Sequence, residues 1–209
     1  MLDPLPSCSR GIVIDGVGLD TVTRAEVRER IIAMSQDPVF LPGQVSLKRQ
    51  LDPFGLSTPE ECHAVLLLVE LDSLATDASG LEVDLRPDSL SGGQRQLFNL
   101  ARTILRGRVR ARGGLRGPNM QVREKTGGVL LLDEVSASVD KRTEQTMHRI
   151  IMEEFQTYTI VMVAHHLDMV IGFDTVLVME HGRIVEHGQP KALVEREDSH
   201  FGKLWTAHK

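Results

Sequence analysis

Three apolar runs give the clearest hydrophobic pattern in this 209-residue chain, at residues 31–34, 128–132 and 159–164. The two longer runs do not alternate with polar residues, which is typical of strands covered on both faces in a parallel sheet. Between them, residues 141–155 have the pattern of a connecting helix. The chain is therefore predicted to have an α/β fold built around a parallel sheet.

Further elements are predicted from helical patterns and from turn residues. The helix-prone segments are residues 23–30, 59–74, 91–105 and 191–195. Short apolar runs predict strands at residues 11–15, 174–180 and 183–186, and Gly182 supplies the tight turn between the last two. A loop is expected from about Gln36, where Gln36, Asp37 and Pro38 interrupt the regular pattern.

Two segments carry no pattern that could bury a face. Residues 1–10 contain two prolines and one arginine, without the apolar stretch of a signal peptide, and are expected to form a disordered lead-in. Residues 107–127 are rich in glycine and arginine and are expected to form a disordered insertion. This basic segment is interpreted as a solvated linker, with contact to anionic lipid as the alternative.

The composition excludes several classes of function. With 41% hydrophobic and 25% charged residues the chain is typical of a globular protein, and its net charge of -5 offers no footprint for nucleic acid. The apolar runs fall far short of the ~20 residues needed to cross a bilayer, so no membrane span is expected. Two cysteines, Cys8 and Cys62, are too few for a disulfide framework, which favours a reducing, cytosolic compartment.

Residues 90–96, with the sequence LSGGQRQ, combine a hydroxyl group with two glycines at a predicted helix start. Free N–H groups and the helix dipole favour an anion at such a position. Ser91, Gly92 and Gly93 are therefore candidates for phosphate binding. A glycine turn that only caps a helix is the better interpretation of a bare SGG tripeptide, whereas the full heptapeptide favours phosphate binding.

Two carboxylates and a histidine follow the predicted central strands. Asp133 and Glu134 end the run of residues 128–132, at the sheet edge where open α/β folds bind ligands. Asp133 is a candidate ligand for Mg²⁺, and Glu134 a candidate for polarising water in phosphoryl transfer. His165 ends the next run and is a candidate donor to a phosphate oxygen or to that water. Alternatively, His165 or His166 merely ends a strand.

In their order and spacing these motifs resemble the ATP-binding cassette (ABC) family, from about Gly11 to the C-terminus. LSGGQ is similar to the family's signature motif, VLLLDE at residues 129–134 to its Walker B motif, and ASVD at residues 137–140 to its D-loop. VAHHLD is similar to the switch-histidine region, although His166 stands where the family often has arginine.

A finer resemblance points to one subfamily. Residues 36–54, QDPVFLPGQVSLKRQLDPF, resemble the Q-loop region of the C, or multidrug-resistance-associated, subfamily. Glu134 resembles the acidic residue in the second nucleotide-binding domain of that subfamily.

The resemblance implies a RecA-like P-loop NTPase core, residues 11–46 and 128–209, split by a helical subdomain, residues 47–106, that carries the signature motif. It implies ATP and Mg²⁺ as cofactors and an energy-coupling role in an exporter of small molecules. The implied partners are a second nucleotide-binding domain and transmembrane domains, in cis or in trans. The implied location is the cytoplasmic face of a membrane, or the cytoplasm.

The resemblance also implies roles for single residues. Gln36 senses Mg²⁺ and water, and Asp133 binds Mg²⁺. Glu134 is the general base, and His165 contacts the γ-phosphate. The residues implied to bind ATP across a dimer interface are Ser91, Gly92, Gly93, Gln94 and Asp140.

The sequence contains no G-x-x-x-x-G-K-[ST] phosphate loop (Walker A), which in the family lies upstream of the position of Gly11. The core is therefore expected to be incomplete, with a partner or an upstream segment supplying the loop and its strand. Alone, the chain is expected to have negligible ATP affinity, an unpaired edge at residues 159–164, and a tendency to aggregate or to depend on a partner.

Two other functions compete with the exporter interpretation. One is a non-catalytic remnant or regulatory module that cannot hydrolyse ATP itself. The other is a soluble cassette ATPase that acts on DNA or ribosomes, which shares the same motifs. The QDP and LDPF elements and the acidic charge balance disfavour the second.

Overall fold

The computed structural model describes residues 11–76, 80–113, 127–136 and 139–208. The strands among them are β1 (Val13–Ile14), β2 (Val17–Gly18), β3 (Ile31–Met34), β4 (Gly128–Asp133), β5 (Tyr158–Val163), β6 (Val176–Glu180) and β7 (Arg183–Gly188). The α-helices are α1 (Arg24–Arg30), α2 (Leu47–Leu51), α3 (Pro59–Leu68), α4 (Gly92–Ala111), α5 (Lys141–Glu154), α6 (Pro190–Val194) and α7 (His200–His208).

A parallel three-stranded sheet with the order β3-β4-β5 forms the centre of the fold. Met34 pairs with Leu132, and Leu132 with Met162, so the carboxyl ends of the three strands lie at the same edge. One cluster of buried side chains joins this sheet to α2, α3, α4 and α5. The α/β architecture with a parallel sheet is thus confirmed.

The opposite face of this sheet is apolar but exposed. Leu131 is 38% exposed, Val161 50% and Val163 55%, whereas Leu130 and Leu132 are at most 1% exposed. This alternation arises because successive side chains of a strand point to opposite faces. The continuous apolar runs predicted strands covered on both faces. That prediction is wrong for the described part of the chain, in which one face is covered and the other is open.

Side-chain caps set the starts of the long helices. Thr58 forms a capping box with Glu61, and Pro59 occupies the first helical position of α3, where a missing N–H costs nothing. Glu70, with a φ of 59°, follows α3, and a 3₁₀ turn at Asp72–Ala75 replaces the last turn of the helix predicted to reach residue 74. A non-glycine residue in the left-handed region is incompatible with continued α-helix, so the helix is shorter than its apolar pattern.

The helix α4 is longer than predicted. It continues to Ala111, and Gly107 and Val109 within its last turns are buried. Arg108 donates to both carboxylate oxygens of Glu154 on α5, at 3.0 and 2.8 Å. The helix therefore runs past the boundary predicted between residues 106 and 107, and the first residues of the predicted insertion continue a packed helix. Residues 114–126 of that segment, like the lead-in of residues 1–10, lie outside the described residues.

A second, smaller cluster closes the C-terminal part of the fold. The antiparallel hairpin β6-β7 turns at His181 and Gly182, whose φ angles of 49° and 75° are those of the tight turn expected from Gly182. Val178 packs with Leu193 of α6 and Phe201 of α7. Among the described residues, no helix combines the length and apolar character needed to cross a bilayer.

We expect Gly128→Ala to lower the free energy of unfolding by about 1–3 kcal/mol, as overpacking does in a tight interior. A Cβ at Gly128 would lie 2.5 Å from the carbonyl oxygen of Arg30, a main-chain atom that cannot rotate away. Urea unfolding of both proteins measures the difference. Gly172→Ala is the matched control, since nothing lies within 4 Å of its added Cβ, and it should change stability by less than about 0.5 kcal/mol.

Candidate functional site

Glu134 and His165 meet at the carboxyl edge of the sheet. Glu134 directly follows β4, and its N–H donates to the carbonyl oxygen of Val163 on β5, at 3.0 Å. The Glu134 Oε1 atom lies 2.7 Å from His165 Nε2. The Glu134 side chain is 26% exposed and that of His165 77%, so the pair is open to solvent and to a ligand. Two residues from separate strands thus form the acid and imidazole pair that the sequence placed at this edge.

The backbone at Glu134 is strained. Its φ is 47°, in the left-handed region, where a residue with a Cβ costs roughly 1–2 kcal/mol more than in the right-handed region. Such conformations cluster at functional sites, because the surrounding structure must hold them in place. Here the hydrogen bond to Val163 and the contact with His165 do so, and the conformation directs the carboxylate towards His165.

Asp133 and Gln36 lie at the same edge. Asp133 is the last residue of β4 and is exposed, and Gln36 is exposed two residues beyond the end of β3. A carboxylate and an amide oxygen are hard donors, which suits Mg²⁺. Among the described residues no three His, Cys, Asp or Glu side chains are grouped to hold a metal ion. This donor set fits Mg²⁺ that keeps waters and phosphate oxygens as its other ligands.

A second group of candidate residues surrounds the start of α4. The Ser91 Oγ atom accepts from the N–H of Gln94 at 3.2 Å, and the Gln94 Oε1 atom accepts from the N–H of Ser91 at 2.9 Å. This capping box uses the side chains of Ser91 and Gln94 within the helix. The N–H groups of Gly92 and Gly93, in the first turn, have no helical partner and are available to an anion.

Asp140 caps the neighbouring helix α5. Its carboxylate accepts from the N–H groups of Arg142 and Thr143, at 3.0 and 3.1 Å, and from the Thr143 hydroxyl at 2.6 Å. The hydrogen bonds from the Thr143 side chain and main chain, with that from Arg142, lower the pKa of Asp140 from its usual value. Thr143 also packs on Gly93, where an added Cβ would lie 3.4 Å from Thr143 Oγ1. The turn at residues 91–93, called the signature turn below, and Asp140 are therefore neighbours.

The candidate residues thus fall into two groups within one chain. Glu134 and His165 are in direct contact, with Asp133 and Gln36 at the same sheet edge. Ser91 to Gln94 and Asp140 form the other group, at the starts of α4 and α5. Among the described residues no hydrogen bond or ion pair joins a side chain of one group to a side chain of the other. Within one chain, Ser91 and Glu134 are therefore not linked by a described hydrogen bond or ion pair.

Two further contacts were missed by the sequence reasoning. His166 Nδ1 lies 2.8 Å from Glu144 Oε1, and Glu144 is only 8% exposed. The Gln96 side-chain amide donates to the carbonyl oxygen of Gln36. The available signals were weak: Glu144 lies one turn after Asp140, and Gln96 is a buried polar residue in a helix of apolar neighbours.

A cleft of about 460 Å³ adjoins the His166–Glu144 contact. Its lining residues are Lys141, Glu144, Gln145, His148, Asp168 and Met169. Neither Glu134 nor His165 lines this cleft, so the cleft is separate from the contact between those two residues.

The chain is thus an α/β domain with a parallel sheet, which has a carboxylate and a histidine at the sheet edge and a glycine turn at the start of a long helix. The chain is 49% identical over its full length to ABC transporter FGM5 of Gibberella zeae and 45% identical over 99% of its length to ABC-type transporter braE of Annulohypoxylon truncatum. It is 37% identical over 95% of its length to ABC multidrug transporter B of Aspergillus fumigatus.

The chain spans 14% of the length of the first two of these relatives and 12% of the third. No protein-family model matches it. A bacterial Atm1-family ABC exporter with ATP bound has a similar structure, with a TM-score of 0.74 over 94% of this chain and 32% of that one. Their sequences are 24% identical, so the similarity shows a common fold. Together the relatives and this fold support an ABC transporter domain.

We predict that the free energy of unfolding of Glu134→Gly is about 1 kcal/mol higher than that of Glu134→Ala, because glycine tolerates the left-handed backbone and alanine does not. Urea unfolding of the two variants measures this. The matched pair at Glu153, an exposed residue inside α5, should show the opposite order by a similar amount, since glycine weakens a helix. Equal stabilities of the two Glu134 variants would contradict the strain.

The N-cap at Asp140 predicts a dependence on pH. Because its pKa is lowered from 3.8, the ionised carboxylate stabilises α5 fully above that pH, and this contribution is lost as the pH falls below it. Asp140→Asn should therefore be less stable than the parent chain at neutral pH, with a difference that shrinks below pH 3.8. Urea unfolding at a series of pH values tests this, and a difference independent of pH would refute it.

Proposed function

We propose that this chain is part of a nucleotide-binding domain of an ABC exporter, and that it contributes to the ATP binding and hydrolysis that drive efflux of small molecules. The contact between Glu134 and His165 carries the proposal. In it, a carboxylate held in a strained conformation meets an imidazole at the ligand-binding edge of a parallel sheet. We further propose that the central sheet is the RecA-like core and that the segment from α2 to α4 is its helical subdomain.

Each residue at the sheet edge has a proposed task. Glu134 accepts a proton from the attacking water. His165 orients Glu134 in the structure described here and, once phosphate is bound, turns the same N–H to donate to the terminal phosphate. Asp133 and Gln36 would hold Mg²⁺, which would neutralise charge on the phosphate oxygens. Solvent access at His165, 77% exposed, leaves room for the phosphate that would complete the site.

The second group acts on a different nucleotide. Since Ser91 and Glu134 are not in contact within the chain, we propose that Ser91, Gly92, Gly93 and Gln94 serve the site of a second nucleotide-binding domain. The free N–H groups of Gly92 and Gly93 bind its phosphates there. Asp140, which lies beside the signature turn through Thr143, belongs to the same interface. This arrangement favours two sites shared between two domains.

The phosphate loop must come from another segment or a partner. The exposed apolar face at Leu131, Val161 and Val163 supports this, because an open apolar face of this kind is normally covered. In the described structure β5 is an edge strand, which leaves one side free to pair. We propose that the missing strand pairs with β5 and that its loop brings the lysine and main-chain amides that hold the β-phosphate.

Membership in the C subfamily is proposed from residues 36–54. Asp52 of the LDPF element is 8% exposed and accepts from the N–H of Ser57 at 2.6 Å, so it stabilises the turn, while Phe54 is 78% exposed. The exposed aromatic side chain is free to meet another part of the transporter. We place this activity at the cytoplasmic face of a membrane, with transmembrane domains as partners.

Calorimetry tests the need for the missing loop. Mg·ATP added to the 209-residue chain should give no measurable heat of binding, because no lysine or amide cradle offsets the triphosphate charge. Fusing a strand, a G-x-x-x-x-G-K-[ST] loop and a helix ahead of Gly11 should restore micromolar binding and slow hydrolysis. Micromolar binding by the chain alone would contradict the requirement.

In the fused protein, Glu134→Gln should lower the turnover rate about 10²- to 10⁴-fold, the range for loss of a general base, with little change in the affinity for ATP. Glu153→Gln, on the exposed surface of α5, is the control and should leave both unchanged. Unchanged turnover in Glu134→Gln would remove Glu134 from the mechanism. Tight binding of ATP without any turnover in the parent fusion would favour a regulatory module that cannot hydrolyse ATP.

A further inference from the structure

Three side chains on one face of α4 donate hydrogen bonds to the main chain that follows β3. The Gln96 amide donates to the carbonyl oxygen of Gln36, and the Asn99 amide to that of Ser35 at 3.2 Å. Arg102 donates through Nη1 to the carbonyl oxygen of Val39. Positions 96, 99 and 102 are three residues apart, which places them along one side of a helix. We call these three residues the carbonyl clamp.

Arg102 extends the clamp to a buried glutamine. Its Nε and Nη2 atoms donate to the main-chain and side-chain oxygens of Gln50, at 2.6 and 3.0 Å. Gln50 is 0% exposed, and its side chain bonds both the N–H and the carbonyl oxygen of Leu41, each at 2.9 Å. The segment of residues 35–41 is therefore tied to α4 at both ends, directly and through Gln50.

The guanidinium group of Arg102 is also enclosed by aromatic rings. It lies 5.0 Å from the ring centre of Phe40 and 5.1 Å from that of Phe98. Burial lowers the pKa of Arg102 to about 10, as expected for a cation removed from water. Removing its N–H donors would take a hydrogen-bond partner from the main-chain oxygen of Gln50, a residue that is 0% exposed, which is costly. Arg102 is thus held by two aromatic rings and by hydrogen bonds to Val39 and Gln50.

We propose that Gln96, Asn99 and Arg102 are positioning residues that make the loop carrying Gln36 and the helix carrying Ser91 one rigid unit. This rests on the proposed function only in that Gln36 and Ser91 serve nucleotide sites. Gln96 lies five residues after Ser91 on a continuous helix, so a displacement of Ser91 carries Gln36 with it.

Amide hydrogen exchange in the 209-residue chain tests the clamp. Arg102→Met should speed exchange at the Leu41 N–H about tenfold, because Gln50 loses the group that holds it, while amides of β4 and β5 stay unchanged. Arg102→Lys keeps a cationic donor on a stem of similar length and should restore part of the protection. Arg108→Met is the control: it breaks the bridge from α4 to Glu154 and should leave Leu41 unchanged.

Asn99→Ala is a second variant. It removes the hydrogen bond to Ser35, introduces no larger side chain and leaves Arg102 in place. It should loosen residues 35–39 without affecting the sheet. Unchanged exchange in residues 35–41 in both variants overturns the clamp. An equal increase across β4 and β5 overturns it too, because the side chains would then only stabilise the whole fold.

A distance measurement tests the rigid unit itself. Spin labels at Val39→Cys and Arg95→Cys, both exposed positions, can be attached in a Cys8→Ser background. Cys62 is fully buried, and burial raises its thiol pKa to about 11, so it does not react. One narrow distance distribution is expected, broadened by Asn99→Ala. A broad distribution in the parent chain contradicts the unit. Neither experiment uses nucleotide, so both test the clamp independently of whether the chain contributes to ATP hydrolysis.

Discussion

The parallel pairing of β4 with its two neighbours is the constraint on which the candidate site depends. Parallel strands end at the same edge, and their register places the residues after β3, β4 and β5 next to one another. Glu134 reaches His165 because Asp133 is in register with Val163 and the Glu134 N–H donates to the Val163 carbonyl oxygen. The chemistry proposed for this chain is thus a consequence of strand register more than of any single side chain.

A large part of this arrangement is predictable from sequence. The apolar runs at β3, β4 and β5 locate the sheet, and the residues that end them locate the candidate edge. LSGGQ locates the start of α4, because serine and glutamine at that spacing form a capping box. Each of these signals is local, which is why a single sequence reveals them. The separate roles of Asp133, Glu134 and His165 come from the resemblance to a family and remain proposals.

The failures have tertiary causes. The end of α4 was missed because arginine and glycine suggested a linker, whereas Arg108 has a carboxylate partner 46 residues away and Gly107 lets Phe155 approach closely. The second face of the sheet was expected to be covered because the apolar runs are continuous. Such a run shows that a face is apolar, but it does not show which segment packs on that face. The carbonyl clamp joins residues about 60 positions apart, so no periodicity within α4 could reveal the partners of Asn99.

The length of α4 has a consequence for how such a domain tolerates variation. A helix of 20 residues spans about 30 Å, and Ser91 stands at one end while Ala111 stands at the other. Any sequence joined beyond Ala111 is attached about the width of a small domain from the candidate phosphate-binding turn. An insertion at that end is therefore expected to leave the geometry of the turn at Ser91 unchanged, as long as the bridge from Arg108 to Glu154 is kept.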